Sequence, residues 1–301
     1  MIKSITVTNH NHESLTLDLF HPELSGLNVQ NIDGLGPTNA DINSTEVATI
    51  DGGIFTSARQ GQRNIVFTFA MMFDPLVEDS RLKVYKYFPV KKRIYLEFQT
   101  DRRHVETEGY VESNVPDIFS KEETTQVSII CPDPFFYGLN IEEQAFSGVQ
   151  PRFEFPFSNE SLTVPLIEFG EIRLDTRTVL QYSGDSDTGV LITIHAYDVA
   201  SNITIWNNDT REHITIDTNK IKTLTDVTYG QGDDIIISTV KGNKYVQLLH
   251  NGIYTNIISA INKDADWFQL TNGDNVFTFT AGVGENDLLV TFRYRNAYAG
   301  I

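Results

Sequence analysis

Gly52-Gly53-Ile54-Phe55-Thr56-Ser57-Ala58-Arg59-Gln60-Gly61-Gln62-Arg63-Asn64-Ile65-Val66-Phe67 opens the block, running to Tyr137, whose reading decides the fold. Asp51-Gly52-Gly53 is a turn of residues that tolerate positive φ. From Asn64 to Met71 a mostly apolar run reads as a long strand. Val77, Arg81, Val84 and Phe88 then recur at helical spacing, with Leu82 and Tyr85 beside them. Asp74 serves as the expected N-cap with Pro75 at the first helical position, and Pro89 stops the helix. Arg93 to Phe98 alternates again, Asp101-Arg102-Arg103 marks a hairpin tip, and Glu108–Glu112 and Thr125–Ile130 complete a sheet. The block closes on Ile129-Ile130-Cys131-Pro132-Asp133-Pro134-Phe135-Phe136-Tyr137 and contains no recognisable catalytic constellation.

Outward from this block, residues 2–8 and Leu15–Phe20 read as two further strands, Leu27–Asn43 as a polar loop centred on Gly34-Leu35-Gly36-Pro37, and Glu46–Ile50 as the start of another strand. Residues 1–138 therefore form an N-terminal antiparallel β domain with one α-helix. Pro132-Asp133-Pro134 makes a stiff exit from it. Residues 139–301 carry short apolar runs separated by turn signals, among them Leu162–Phe169, Gly189–Tyr197, Lys220–Leu224, Asp234–Thr239, Trp267–Leu270 and Asp287–Tyr294. Such a series predicts a two-sheet sandwich without a helix of ordinary length, Ile257–Ile261 making one turn at most.

Composition supports a mainly β protein. The chain has 301 residues, 40% hydrophobic, with 19 Phe and 12 Tyr, enough apolar matter for a core and a bias toward strands. Its formal net charge of −17 argues against adhesion to nucleic acid or an anionic membrane. The excess is even: 12 Lys/Arg against 19 Asp/Glu in residues 1–138, and 11 against 21 in the remainder. It suits solubility, or an acidic wall around a passage that DNA slides through. One cysteine, Cys131, excludes an intramolecular disulfide and a Cys-rich metal site. No secretory signal opens the sequence and no run reaches a membrane-spanning length, so folding in a cytoplasm without a membrane anchor is expected.

The first block resembles the N-terminal domain of distal tail proteins of long, non-contractile-tailed phages. The residues that carry the likeness are Gly52-Gly53-Ile54-Phe55 to Arg63-Asn64-Ile65-Val66, Arg81…Tyr85-Lys86-Tyr87-Phe88-Pro89, Thr100-Asp101-Arg102-Arg103, Glu108-Gly109-Tyr110-Val111-Glu112 and Ile130-Cys131-Pro132-Asp133-Pro134. The second half, with Lys241-Gly242, Trp267-Phe268-Gln269-Leu270, Gly273-Asp274-Asn275 and the closing Phe292-Arg293-Tyr294-Arg295…Tyr298-Ala299-Gly300-Ile301, is similar to that family's galectin-like C-terminal sandwich. The resemblance implies a virion protein of the tail tip, a hexameric ring whose N-terminal domains form a belt around a channel for passing DNA. Such a ring sits between the tail tube protein and the receptor-binding tip proteins, needs no cofactor and catalyses nothing. Some members carry carbohydrate-binding insertions, for which this chain is too short.

A ring subunit needs edges or arms that pair with copies of itself. The 27–43 segment and the Arg59–Arg63 turn are candidate arms, with ordinary surface loops as the alternative. Phe55, Arg59, Arg63, Arg102 and Arg103 are the candidate interface residues, the cations reading either as intersubunit ion-pair partners or as solvated hairpin tips. A saccharide-binding module is the alternative function, with Trp206 and Trp267 as stacking candidates and buried sandwich tryptophans as the competing assignment. Other signals fall away. His10-Asn11-His12 lacks a third metal ligand, and Asp185-Ser186-Asp187 begins like a calcium loop but has Ala196 where the twelfth-position Glu belongs. Glu142-Glu143 and Asp233-Asp234 are sequence neighbours, which a strand turns to opposite faces. Cys131 lies in an apolar strand and reads as core.

Overall fold

The computed structural model describes residues 1–46, 48, 51–72, 76–151 and 170–301. They fall into two compact units, Met1–Asn140 with Ala297–Ile301, and Ile141–Asn296. The expected cap at Asp74-Pro75, most of the expected strand over Glu46–Ile50 and the expected strand Leu162–Phe169 lie outside the described residues.

In chain order the first unit contains β1 (Ile2–Thr8), β2 (Ser14–Asp18), β3 (Leu27–Asp33), β4 (Ala40–Glu46), β5 (Gly53–Gln60), β6 (Arg63–Met71), α1 (Val77–Tyr87), β7 (Arg93–Thr100), β8 (His104–Asp117), β9 (Thr124–Cys131) and β10 (Phe136–Gly138). An antiparallel sheet runs β2-β1-β7-β8-β9-β6-β3. Period-two alternation builds it: Ile65, Phe67 and Phe69 of β6, Ile94, Leu96 and Phe98 of β7, and Val127, Ile129 and Cys131 of β9 are all buried. Helix α1 closes the core. Phe88 at its C-terminal end lies 5.9 and 5.4 Å, ring to ring, from Phe67 and Phe69, and Val84 is buried one turn earlier. Leu82 and Tyr85, which share the helical spacing, face solvent. At the start of α1 the Asp79 carboxylate accepts the Leu76 N–H at 3.3 Å. Gly109 permits the tight β8–β9 approach, since a Cβ there would stand 2.6 Å from Ile129 Cγ2 and 2.9 Å from Cys131 Sγ.

Two strands, β3 and β4, occupy the segment expected to be a loop. β3 pairs with β6, and β4 pairs with β5 in a separate two-stranded sheet. The polar composition that suggests a loop belongs to an edge strand and to a ribbon with no core beneath it, neither of which requires apolar alternation.

The second unit contains β11 (Glu142–Ala145), β12 (Ser147–Pro151), β13 (Gly170–Leu174), β14 (Arg177–Tyr182), β15 (Leu191–Ala196), β16 (Ile203–Asn207), β17 (Glu212–Ile216), α2 (Thr218–Thr225), β18 (Asp234–Ser238), β19 (Tyr245–His250), β20 (Ile253–Asn256), β21 (Gly273–Thr280) and β22 (Leu288–Tyr294). A six-stranded sheet, β11-β22-β15-β18-β19-β20, and a four-stranded sheet, β14-β21-β16-β17, share one core. Phe277 of β21 meets Phe292 of β22 at 4.7 Å, and Phe146 packs against Phe279 and Phe292. The chain is thus mainly β, with the two helices α1 and α2 among the described residues.

Two expectations fail here. Lys220–Leu224 is not a strand but the middle of α2: the Asp217 carboxylate accepts from the Asn219 and Lys220 N–H groups, and Asp226 ends the helix at φ 57°. Trp267–Leu270 forms no strand either. Leu270 makes a single bridge to Thr188, and the Gln269 side chain donates to the Thr239 carbonyl at 2.8 Å.

The last strand, β23 (Ala297–Tyr298), returns to the first unit and pairs with β10 through Phe136↔Tyr298 and Tyr137↔Ala297.

Candidate functional site

The β4–β5 ribbon is the most exposed element of the first unit. Every residue of both strands is exposed, and among the described residues the two strands pair only with each other. Its register makes two unlike faces. Asp41–Arg59 (3.2 Å), Asn43–Ser57 (3.1 Å) and Thr45–Thr56 (3.4 Å) are linked across one face. A bulge after Asn43 leaves Thr56 as the extra residue and sets Phe55 opposite Ser44. Phe55 therefore joins Ile42 and Ala58 on the other face. Ile42 and Phe55 are 67% and 64% exposed on this face, and Ile54, opposite Thr45 on the other, is 55% exposed; among the described residues no other strand pairs with the ribbon. An isolated two-stranded hairpin is at best marginally stable in water, so an exposed ribbon of this kind gains stability from any surface laid against it.

A second apolar projection escapes sequence reading. In the turn of the β8–β9 hairpin Phe119 is 95% exposed and Ile118 43% exposed, and Val115, on β8 just before the turn, is 61% exposed. A link from Arg81 Nη1 to Glu123 Oε2 at 3.1 Å ties the base of this turn to α1. The arm leaves the sheet at the Arg63 end of β6, where Arg63 pairs with Cys131; the Phe119 turn lies toward the other end, where Ala70 pairs with Thr124. Nine residues of strand separate the two, roughly 26 Å. Only spacing of the apolar residues against a known turn boundary would have revealed this projection, and Val115, Ile118 and Phe119 follow no simple period.

The four candidate arginines have different surroundings. Arg59 lies on the arm with its side chain 81% exposed. Arg102 is exposed at the β7–β8 turn. Arg103, half-buried next to it, donates through Nη1 to the Gly300 carbonyl at 2.9 Å and lies 4.0 Å over the Tyr298 ring. Arg63 departs from the expectation of a surface cation: the residue is 1% exposed. Its Nε and Nη2 donate to the Pro134 carbonyl (2.8 and 2.6 Å), Nη1 to the Gly34 and Gly36 carbonyls (2.5 and 2.6 Å), and Nη2 also to Ala299 (2.5 Å). The guanidinium also sits 4.2 Å over the Phe136 ring. Burial pulls its pKa below the usual guanidinium value. Arg63 is an internal tie at the root of the arm and offers no donor to a neighbouring molecule.

The tryptophans also part company. Trp206 lies on the outward face of the four-stranded sheet, 38% exposed, with its ring stacked on His213 at 4.6 Å. His213 in turn is flanked by Asp264 and Asp266 at 3.7 and 3.9 Å. Trp267 is half-buried against the core with the Lys244 ammonium 5.3 Å from its ring centre. The paired carboxylates are engaged locally: Asp233 accepts from His250, Asp234 from His195, and Glu143 from Arg293. Among the described residues no group of three or more His, Cys, Asp or Glu is placed to hold a metal ion, and no helix is long and apolar enough to cross a membrane. Cys131 is buried, and desolvation pushes its thiol up to about 11.

No protein-family model and no curated protein matches the chain. Solved structures do. The crystal structure of the SPP1 Dit (gp 19.1) protein, described as a paradigm of hub adsorption apparatus in Gram-positive infecting phages, aligns with 97% of this chain and 98% of that one, at a TM-score of 0.63 and 13% identity. The chain shares that protein's fold. The phage P2 baseplate in its activated conformation, with Ca or with Sr, aligns with 97% of this chain at 12% identity, with TM-scores of 0.43 and 0.42, too low to carry an argument.

Proposed function

We propose that this protein is a structural, non-enzymatic ring subunit of a phage tail tip. Six copies join the tail tube above to the host-recognition proteins below, with DNA passing through the channel as cargo. The observation that carries this reading is the β4–β5 arm, a fully exposed ribbon bearing Ile42, Ile54 and Phe55, on a subunit that shares the fold of a phage hub protein. An arm at one end of the sheet and an apolar turn toward the other give each copy two different surfaces, as head-to-tail closure requires. Phe55 and Arg59 belong to that contact. Arg102 and Arg103 stand at a separate turn, and Arg63 contributes by fixing the arm. An evenly acidic subunit keeps DNA from adhering while it slides.

Multi-angle light scattering and negative-stain imaging of the full chain, alone and with the tube protein of its own phage, test this. Six-fold rings are the expected result; monomers at high concentration in both samples would sink the proposal.

The outward-facing Trp206 favours a second reading, saccharide recognition, because an exposed indole can stack on a sugar ring. Titrating host cell-wall oligosaccharides against the full chain while following Trp fluorescence decides it. Loss of a saturable signal in Trp206→Ala supports the reading, and a flat titration of the parent protein ends it.

A further inference from the structure

We propose that Ala297–Ile301 is a latch that holds the β4–β5 arm in its working direction, with Arg63 as the bolt. The assembly role of the arm rests on the reading above; the latch itself rests on the geometry at the arm's root.

The arm meets the body through residues 34–39 and 61–62. Three contacts fix the first connection. Gly34 has φ 86°, and a Cβ on it would fall 1.9 Å from the Asn64 carbonyl oxygen, so the chain presses directly on β6. The Gly34 and Gly36 carbonyls accept from Arg63 Nη1. The Leu35 carbonyl accepts from Ile301 N–H at 3.1 Å. Arg63 and Ile301 thus hold the three successive carbonyls Gly34, Leu35 and Gly36, while the Asn39 carbonyl accepts from the Gly61 N–H at 3.3 Å.

One guanidinium thus grips the root and the strap together. Nη1 holds Gly34 and Gly36, while Nη2 holds Ala299 and Pro134. No carboxylate is among these partners. The cation is satisfied by four backbone carbonyls held in place by three different segments, a task that suits the planar five-donor fork and not a lysine. The strap has its own fastenings: the β23–β10 pairing, the Arg103 bond to Gly300 and the Arg103 guanidinium over Tyr298. Gly300 is the tightest point, since a Cβ there would meet the Leu35 oxygen at 3.0 Å and Gly36 carbons at 3.3 Å.

Because both arm strands are exposed along their whole length, the root is what sets the arm's direction. Withdrawing the strap removes the Ile301 bond to the Leu35 carbonyl and leaves Arg63 short of the Ala299 carbonyl in a desolvated site. The strap follows β22 of the second unit after Arg295 and Asn296 alone.

Spin labels at Thr56→Cys on the arm and Lys92→Cys on the body, both exposed positions, report the arm's direction in dilute full-length protein. The parent should give one narrow distance. Arg103→Gln, which removes the donor to the Gly300 carbonyl and the cation over Tyr298 on the strap, should broaden the distribution at least about twofold; Gly300→Val, a wedge between strap and root, should do the same. A distribution that stays narrow in both folded variants overturns the latch. If Gly300→Val fails to fold, Arg103→Gln decides alone, with circular dichroism confirming that the sheet is intact. Broadening without any change in oligomeric state would uphold the latch and count against the arm as the assembly element.

Discussion

Arg59 and Arg63 stand four residues apart, at the end of the arm and the start of the sheet, and they live in opposite worlds. Arg59 has its side chain 81% exposed and holds Asp41 across a ribbon that has no core. Arg63 is buried and holds three segments of chain by their carbonyls. The residue type is the same, and so is the strand geometry. What differs is the number of neighbours: β5 pairs with β4 alone among the described residues, whereas β6 lies between β3 and β9 over a packed core. An exposed ion pair is worth about 0.2–1 kcal/mol. Hydrogen bonds from a charged group in a desolvated site are worth about 1.5–3 kcal/mol each, and leaving their partners unmatched costs about as much. One arginine dresses an arm and the other decides where it points.

The sharpest way to break this contrast is to remove both guanidinium groups in turn. Arg63→Met should lower stability by about 3 kcal/mol or more, because buried carbonyls lose their donors. Arg63→Lys should recover little of it, since a single ammonium cannot reach four carbonyls at once. Arg59→Ala should change stability by less than about 0.5 kcal/mol. Urea titration followed by far-UV circular dichroism measures all three, and similar midpoints for Arg63→Met and Arg59→Ala would erase the distinction drawn between them.

The same sheet makes a smaller prediction one strand pair away. Gly109→Ala pushes a methyl group against Ile129 and Cys131 and should cost about 1–3 kcal/mol by overpacking. No glycine of the arm behaves this way by contact: Gly52 has open space around its Cβ direction, and only its φ of 90° resists substitution.

Cys131 gives a milder test of the same packed region. Its thiol is pushed up to about 11 by burial, from an ordinary value of 9.0. The raised value means the folded state holds the proton more tightly than the unfolded chain. The stabilisation this represents is complete below pH 9 and is lost as pH rises through 11. Native protein at pH 8 should resist iodoacetamide for hours and react within minutes once urea exposes the site, as intact mass would show. Fast alkylation of the folded protein would mean that the β8–β9 face opens readily.

How much of this was legible beforehand follows the same division. Ile65, Phe67 and Phe69, like Ile94, Leu96 and Phe98, announce their strands because a core on one side forces alternation. β3 and β4 were hidden under Asn, Asp and Gly because an edge and a free ribbon impose no such pattern. Helix α2 was missed for another reason: Ile221 is its one buried hydrophobic residue, so its signal lay in the Asp217 cap and not in periodicity. The cations could be picked from the sequence, but their surroundings could not. Arg63 becomes an internal tie through Gly34, Pro134 and Ala299, up to 236 positions away, and no local pattern encodes so distant a meeting. The exposed Phe119 turn was illegible because nothing in its sequence distinguishes a projecting turn from a covered one.

The smallest effect on stability should come from the arm's apolar face, and there it is the absence of an effect that informs. Ile42 and Phe55 touch no core, so Ile42→Ser with Phe55→Ser should leave the unfolding midpoint of the monomer within about 0.5 kcal/mol of the parent. Under the proposed contact a partner covers these two side chains, and burying each is worth about 1.5–3 kcal/mol. Two of them lost per contact, repeated around a closed ring, should shift assembly by several orders of magnitude in subunit concentration while the subunit itself folds as before. Sedimentation velocity on the double variant checks this. Destabilisation of the monomer would show that the arm packs against its own body, and unchanged assembly would move the contact elsewhere, to the Phe119 turn first.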